Sequence, residues 1–202
     1  MSLNNLLTKH IVDSTAMINV LNPVMAALEI SPIVGMSSDT SFNARKLGTL
    51  ATYGGLGFLY SKGRGISKKL FGINESSEKL HDTLYTAGFF LTCSPVFYLA
   101  AGSRDLKEIV IGTLVSVGVG FAFGGATGYT VDAFRDFTGI EESERLPSSI
   151  KKQNSKMKKG LVALVTAASI GAVSGIYSLN NYLHRPQDST YSQEVSIESS
   201  QK

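Results

Sequence analysis

Apolar and polar positions along this chain do not alternate; they separate into blocks. Five stretches carry almost no Asp, Glu, Lys or Arg: 14–36, where Glu29 is the one charge, then 47–61, 83–103, 109–131 and 160–183. A helix needs about 20 mostly apolar residues to cross a bilayer. The last three stretches are long enough unaided, and 47–61 is long enough only if Ser41 to Lys46 extend it. Buried helices of a soluble bundle normally keep a charged face opposite the apolar one, and the last three stretches have none. The pattern predicts an all-α membrane protein with five spans.

Charge supports that reading through its placement. Charged residues are 17% of the chain, against about 25% in soluble domains, and they cluster between the apolar stretches. Most Lys and Arg fall on one side: Lys9, then Lys62 to Lys79, then Arg135 to Lys159. The other side holds Arg45, Lys46, Arg104, Lys107, Arg185 and Lys202. The side richer in Lys and Arg is expected to be cytoplasmic, which puts the N-terminus inside and the C-terminal tail outside. These basic residues read as topology signals, and no nucleic-acid partner is expected. Cys93 is alone, with no ligand spacing for a metal. Asp13 interrupts the place where a signal-peptide core would lie, so no cleaved leader is expected. No enzyme motif and no cofactor fingerprint is present, and SKGRG at 61–65 reads as a basic turn.

Glycine gives the fourth stretch its character. Gly112, Ser116, Gly120, Gly124 and Gly128 recur every four residues and form one ribbon along a helix. Lipid offers no water to expel from between helices, so close backbone approach supplies the packing, with crossings of about −40° favoured by this spacing. The ribbon predicts a partner helix, in the same chain or in a second protomer. Gly171 and Gly175 make a shorter version in the fifth stretch.

The few ionisable groups in these stretches are candidates for function, because a carboxylate at bilayer depth costs on the order of 3 kcal/mol. Asp13 and Glu29 are about 24 Å apart along a helix rising about 1.5 Å per residue, toward opposite leaflets. Asp13 opens the first span and Asp132 closes the fourth, so both belong near one face. Arg45 is placed to pair with Glu29, and Arg135 with Asp132 or Asp13. Pro23, Pro32 and Pro95 interrupt helical stretches; broken helices bind polar substrates in several transporters, and a plain kink is the other outcome.

DSTAM (13–17), Glu29, GMS (35–37), SFNAR (41–45), SPVFY (94–98) and GATGYTVDAFR (125–135) occur in an order and spacing that resembles the AlaE-type L-alanine exporters. The resemblance covers roughly residues 10–137. It implies a four-span protein of the cytoplasmic membrane that exports alanine, driven by the proton gradient. Carried across position by position, the candidate substrate- or proton-binding residues are Asp13, Glu29, Arg45, Ser94, Asp132 and Arg135. The interval from Glu29 to GMS is one residue longer than in that family, GATGY is one residue shorter, and the altered spacing before SPV leaves Asp82 without a counterpart. The family ends soon after its fourth span, so the fifth here is an addition.

The expected architecture is therefore a small bundle: a four-helix exporter-like domain over 1–137, a polar, basic cytoplasmic linker over 138–159, an additional transmembrane helix over 160–183 and a disordered polar tail over 184–202. The expected substrate is a small amino acid, whose ammonium needs a carboxylate and whose carboxylate needs donors. Thin helices enclose little cavity, so a homo-oligomer built partly on the glycine ribbon is expected. The rival reading is a non-transporting scaffold or a glycine-zipper pore.

Overall fold

The computed structural model describes residues 3–184; from residue 185 on, the tail expected to be disordered lies outside the described residues. Among the described residues the chain is all helix and connecting turn: α1 (Leu3–Glu29), α2 (Ser38–Ala51), a π-helical turn (Thr52–Leu56), α3 (Gly57–Leu70), α4 (Glu75–Ala100), α5 (Leu106–Thr138), α6 (Ser148–Lys151) and α7 (Ser155–Leu183). Local signals set the boundaries. Ser37, Asn74, Asp105 and Asn154 each accept a backbone N–H at the start of a helix. Gly139 ends α5 in the left-handed region at φ 77°, where glycine pays no Cβ penalty.

Four helices are long and apolar enough to cross a membrane: Asn4–Glu29, Glu75–Ala100, Leu106–Thr138 and Ser155–Leu183. They fit a multi-pass membrane protein. In the most apolar window of α7 only 11% of residues are buried, and Leu164, Val165, Ile170, Leu179 and Leu183 are exposed on it. A contiguous apolar surface of this kind calls for lipid rather than water.

The stretch expected to be the second span is not one continuous α-helix. It runs from the end of α2 through the π-helical turn into α3, and Gly55 breaks the ladder at φ 134°, a conformation open to glycine and hardly to other residues. α1 steadies the break: Ser14 Oγ donates to the Thr52 carbonyl at 3.2 Å, and His10 Nε2 lies 2.7 Å from the Tyr53 carbonyl oxygen. Pro23 and Pro95, expected to interrupt their helices, lie inside continuous α1 and α4. Pro32 lies beyond the end of α1.

The glycine ribbon packs within the chain. α5 makes its most extensive contact with α4. A Cβ on Gly120 would fall 2.6 Å from Ala87 Cα, and one on Gly124 would fall 2.7 Å from Thr83 Cα. Gly112 faces the Tyr98 ring and Gly128 faces the Asp82 carboxylate. The partner helix is α4, so the ribbon is not available to build the expected homo-oligomer. On its other sides α5 meets α1 and α7, and α7 also packs along α1. The main apolar core lies midway, where Ala16, Met17, Leu21 and Met25 of α1 meet Tyr60 of α3 and Val119, Val131 and Phe134 of α5.

The expected linker is shorter and more ordered than its polarity implies. α5 reaches Thr138 and α7 starts at Ser155, and the segment between folds back so that Ser143 and Leu146 are buried.

Candidate functional site

Two clusters of buried polar side chains meet α1, one at its C-terminal end and one near its middle at Asp13, separated by the apolar core. The first surrounds Glu29, which is fully buried at the C-terminal end of α1. Arg45, on α2, places Nη2 2.7 Å from Glu29 Oε1. Ser41, one turn earlier on α2, donates to Glu29 Oε2 at 2.7 Å, and the Tyr98 hydroxyl of α4 donates to Oε1 at 2.9 Å. The Ser41 hydroxyl has one proton and gives it to Glu29. Tyr177 of α7, 2.8 Å from Ser41 Oγ, must therefore be the donor in that pair. A buried carboxylate is tolerable only when paired and hydrogen-bonded, and here three helices besides its own supply the partners or their support. Arg45 Nε is buried without a hydrogen-bond partner among the described residues, so the guanidinium has donor capacity left over.

The second cluster gathers around Asp132. Arg64 of α3, 3% exposed, grips Asp82 of α4 with two bonds, Nε to Oδ1 at 2.6 Å and Nη2 to Oδ2 at 2.7 Å, and reaches Asp132 of α5 at 3.1 Å. Two-point guanidinium–carboxylate pairs of this kind are the strong ones. Lys68 pairs with Glu78. Arg145, from the segment after α5, sets Nη1 2.9 Å from Asp132 and 3.1 Å from Asp82. Arg135 binds Asp13 of α1 through Nε and Nη2, both at 2.7 Å, and lies 3.8 Å from Asp132. Glu141 closes the edge, 2.7 Å from Lys9 and 3.5 Å from Arg135. The Lys9 ammonium, and then Arg135, hold the Glu141 carboxyl below the usual range against the opposing effect of burial. The acidic groups here are committed to Arg and Lys, and none of the described residues forms a group suited to hold a metal.

The structure brings together what the sequence paired: Glu29 with Arg45, and Asp13 with Arg135 and Asp132. Ser94 is buried on α4 one turn before Tyr98 but bonds to neither cluster among the described residues. Arg64, Asp82, Glu78 and Arg145 were not among the candidates from sequence. SKGRG is not a turn; it lies inside α3 and points Arg64 inward. One signal for this site was present. Gly128 ends the ribbon, and the space its missing side chain leaves is where the Asp82 carboxylate and the Arg64 guanidinium sit. A second signal is the length of the polar segment after α5, which returns Arg145 to the bundle.

Beside this cluster lies an open cavity of about 370 Å³, walled by α3, the start of α4, the end of α5 and residues 141–145. Comparison with protein-family models, with curated proteins and with solved structures finds no match to this chain.

Proposed function

We propose that this chain is a carrier of the cytoplasmic membrane that exports L-alanine or a similar small neutral amino acid in exchange for protons. The observation that carries the reading is the pairing of a buried carboxylate with a guanidinium at two levels of α1, Glu29 at its C-terminal end with Arg45 and Asp13 near its middle with Arg135. An amino-acid backbone offers one positive and one negative group. A site that opens an internal ion pair can replace each partner by the matching end of the substrate, without ever leaving a buried charge alone. Coupling follows if one carboxylate takes a proton when its guanidinium turns to the substrate.

In this reading α2, the π-helical turn and α3 make the second of five crossings, and α7 makes the fifth. The Asp132 end, flanked by most of the Lys and Arg, faces the cytoplasm. The break at Gly55 supplies a natural hinge between two half-helices, each of which carries one guanidinium, Arg45 and Arg64, to a different end. The glycine ribbon is already occupied by α4, which favours a carrier over a pore assembled on that ribbon.

Loading cells with an alanine-containing dipeptide tests the reading. Expression of the carrier lowers accumulated intracellular alanine. Unchanged alanine would leave a scaffold, and loss of many unrelated solutes would leave a pore.

A further inference from the structure

The cavity beside Asp132 is more than a gap between loops. Its volume of about 370 Å³ falls within the range of about 300–1,000 Å³ seen for small-molecule sites. Two hydroxyls on its lining residues, Ser61 Oγ of α3 and Ser143 Oγ of the returning segment, are buried and have no hydrogen-bond partner among the described residues. Ser143 as a whole is only 7% exposed. A buried polar group without a partner costs about 1–3 kcal/mol, so two of them on residues that line one cavity mark a place where something polar belongs. The wall also carries both signs of charge. Lys69 lines it and makes no ion pair among the described residues, and Asp132 and Glu78 line it as acceptors. A lining that holds both donors and carboxylates suits a ligand that is itself anion and cation at short range. It suits neither a simple anion nor a simple cation.

One group stands in the way of such a ligand. Arg145 covers Asp132 and Asp82 with a single guanidinium nitrogen; Arg64 bonds to both carboxylates but brings only one charge, so Arg145 supplies the second, which a substrate ammonium can replace. Arg145 belongs to no transmembrane helix. Its segment leaves α5 at Gly139, and its other ties to the bundle include the ion pairs of Glu141 and the Ser143 N–H bond to Asp136 at 3.1 Å.

We infer that this cavity is the loading site for the zwitterionic backbone of the exported amino acid, and that Arg145 is a tethered cation which the substrate ammonium must displace from Asp132. Ser61, Ser143 and Lys69 receive the carboxylate. The inference rests on the carrier reading for its choice of ligand, but the site has its own readout.

Equilibrium binding to the purified full chain in lipid nanodiscs tests it, with L-alanine, propionate and L-alaninamide as probes. L-Alanine binds saturably, and the two half-ligands, one lacking the ammonium and one the carboxylate, bind far more weakly. Ser61→Ala and Ser143→Ala each weaken alanine binding by about threefold to tenfold, the worth of one hydrogen bond. Arg145→Gln tightens it, because the competing cation is gone, and Arg145→Lys, which keeps the charge, falls between. No saturable binding by the wild type, half-ligands that bind as well as alanine, or an Arg145→Gln protein that folds but binds more weakly would each overturn the site. Zwitterion binding with this variant pattern in a protein that exports nothing would retain the site and remove the carrier. Export with unaltered affinity in the four variants would do the reverse.

Discussion

The Tyr177 hydroxyl lies 2.8 Å from Ser41 Oγ, so the last helix of the bundle touches the group that holds Glu29. α7 is tied to α1 and α2 at two further points, Asn180 Nδ2 to Ser38 Oγ at 2.7 Å and Asn19 Nδ2 to Thr166 Oγ1 at 2.8 Å. The helix that looked like an addition is thus joined by hydrogen bonds to the same elements, α1 and α2, that carry the first ion pair. Tyr177→Phe removes the donor to Ser41 and leaves the ring contact with Phe42 in place. We expect a loss of about 0.5–1.5 kcal/mol in unfolding free energy, read by denaturation in detergent, together with slower alanine export.

Glu29 and Arg45 should behave as one unit. Removing either alone leaves a buried charge unpaired, at a cost of about 3–5 kcal/mol. Removing both restores neutrality. In a double-mutant cycle, Glu29→Gln with Arg45→Gln is expected to cost clearly less stability than the sum of the two single changes. Export is abolished in all three variants if the pair binds substrate or proton. Full transport by Glu29→Gln at normal abundance would remove that role.

The two glycine stripes should answer differently to the same change. Gly120→Ala pushes a methyl against the Ala87 backbone, with 2.6 and 2.7 Å to its Cα and N, and backbone cannot swing aside. We expect about 1–3 kcal/mol of destabilisation. Gly171→Ala meets nothing within 4 Å and should stay within about 0.5 kcal/mol of the parent. Melting temperatures of the two purified variants decide the matter.

Acid should loosen the returning segment through Glu141. Its carboxyl is held below the ordinary value of about 4.3 by Lys9 and Arg135. A carboxylate whose folded-state pKa is depressed adds stability above the unfolded-state pKa and loses it as pH falls through the lower, folded value. The melting-temperature gap between wild type and Glu141→Gln should therefore be present at neutral pH and close as the medium is taken below the carboxylate range. A gap that stays constant with pH would mean that the tie carries no electrostatic weight. Glu141 is half-exposed, so salt should also shrink the gap.

Much of this protein was legible from one dimension because lipid makes severe demands on local sequence. Runs without charge and small residues four apart are properties of a segment and its immediate neighbours, and they anticipated the long helices and the packing stripe of α5. Glu29, Asp13 and Asp132 stood out because an ionisable group costs most where its neighbours are apolar. Arg64, Asp82 and Arg145 did not stand out, because each lies among polar residues where a charge is cheap. They become buried only when α3, α4, α5 and the returning segment meet. Gly55 is the same case in the backbone: its neighbours fit a continuous helix, and only packing against His10 and Ser14 of α1 selects the broken one. Local composition decided which segments are helices and which carboxylates are expensive; the choice of partner for each charge belonged to the tertiary structure, because pairing depends on distances between segments that no local pattern records.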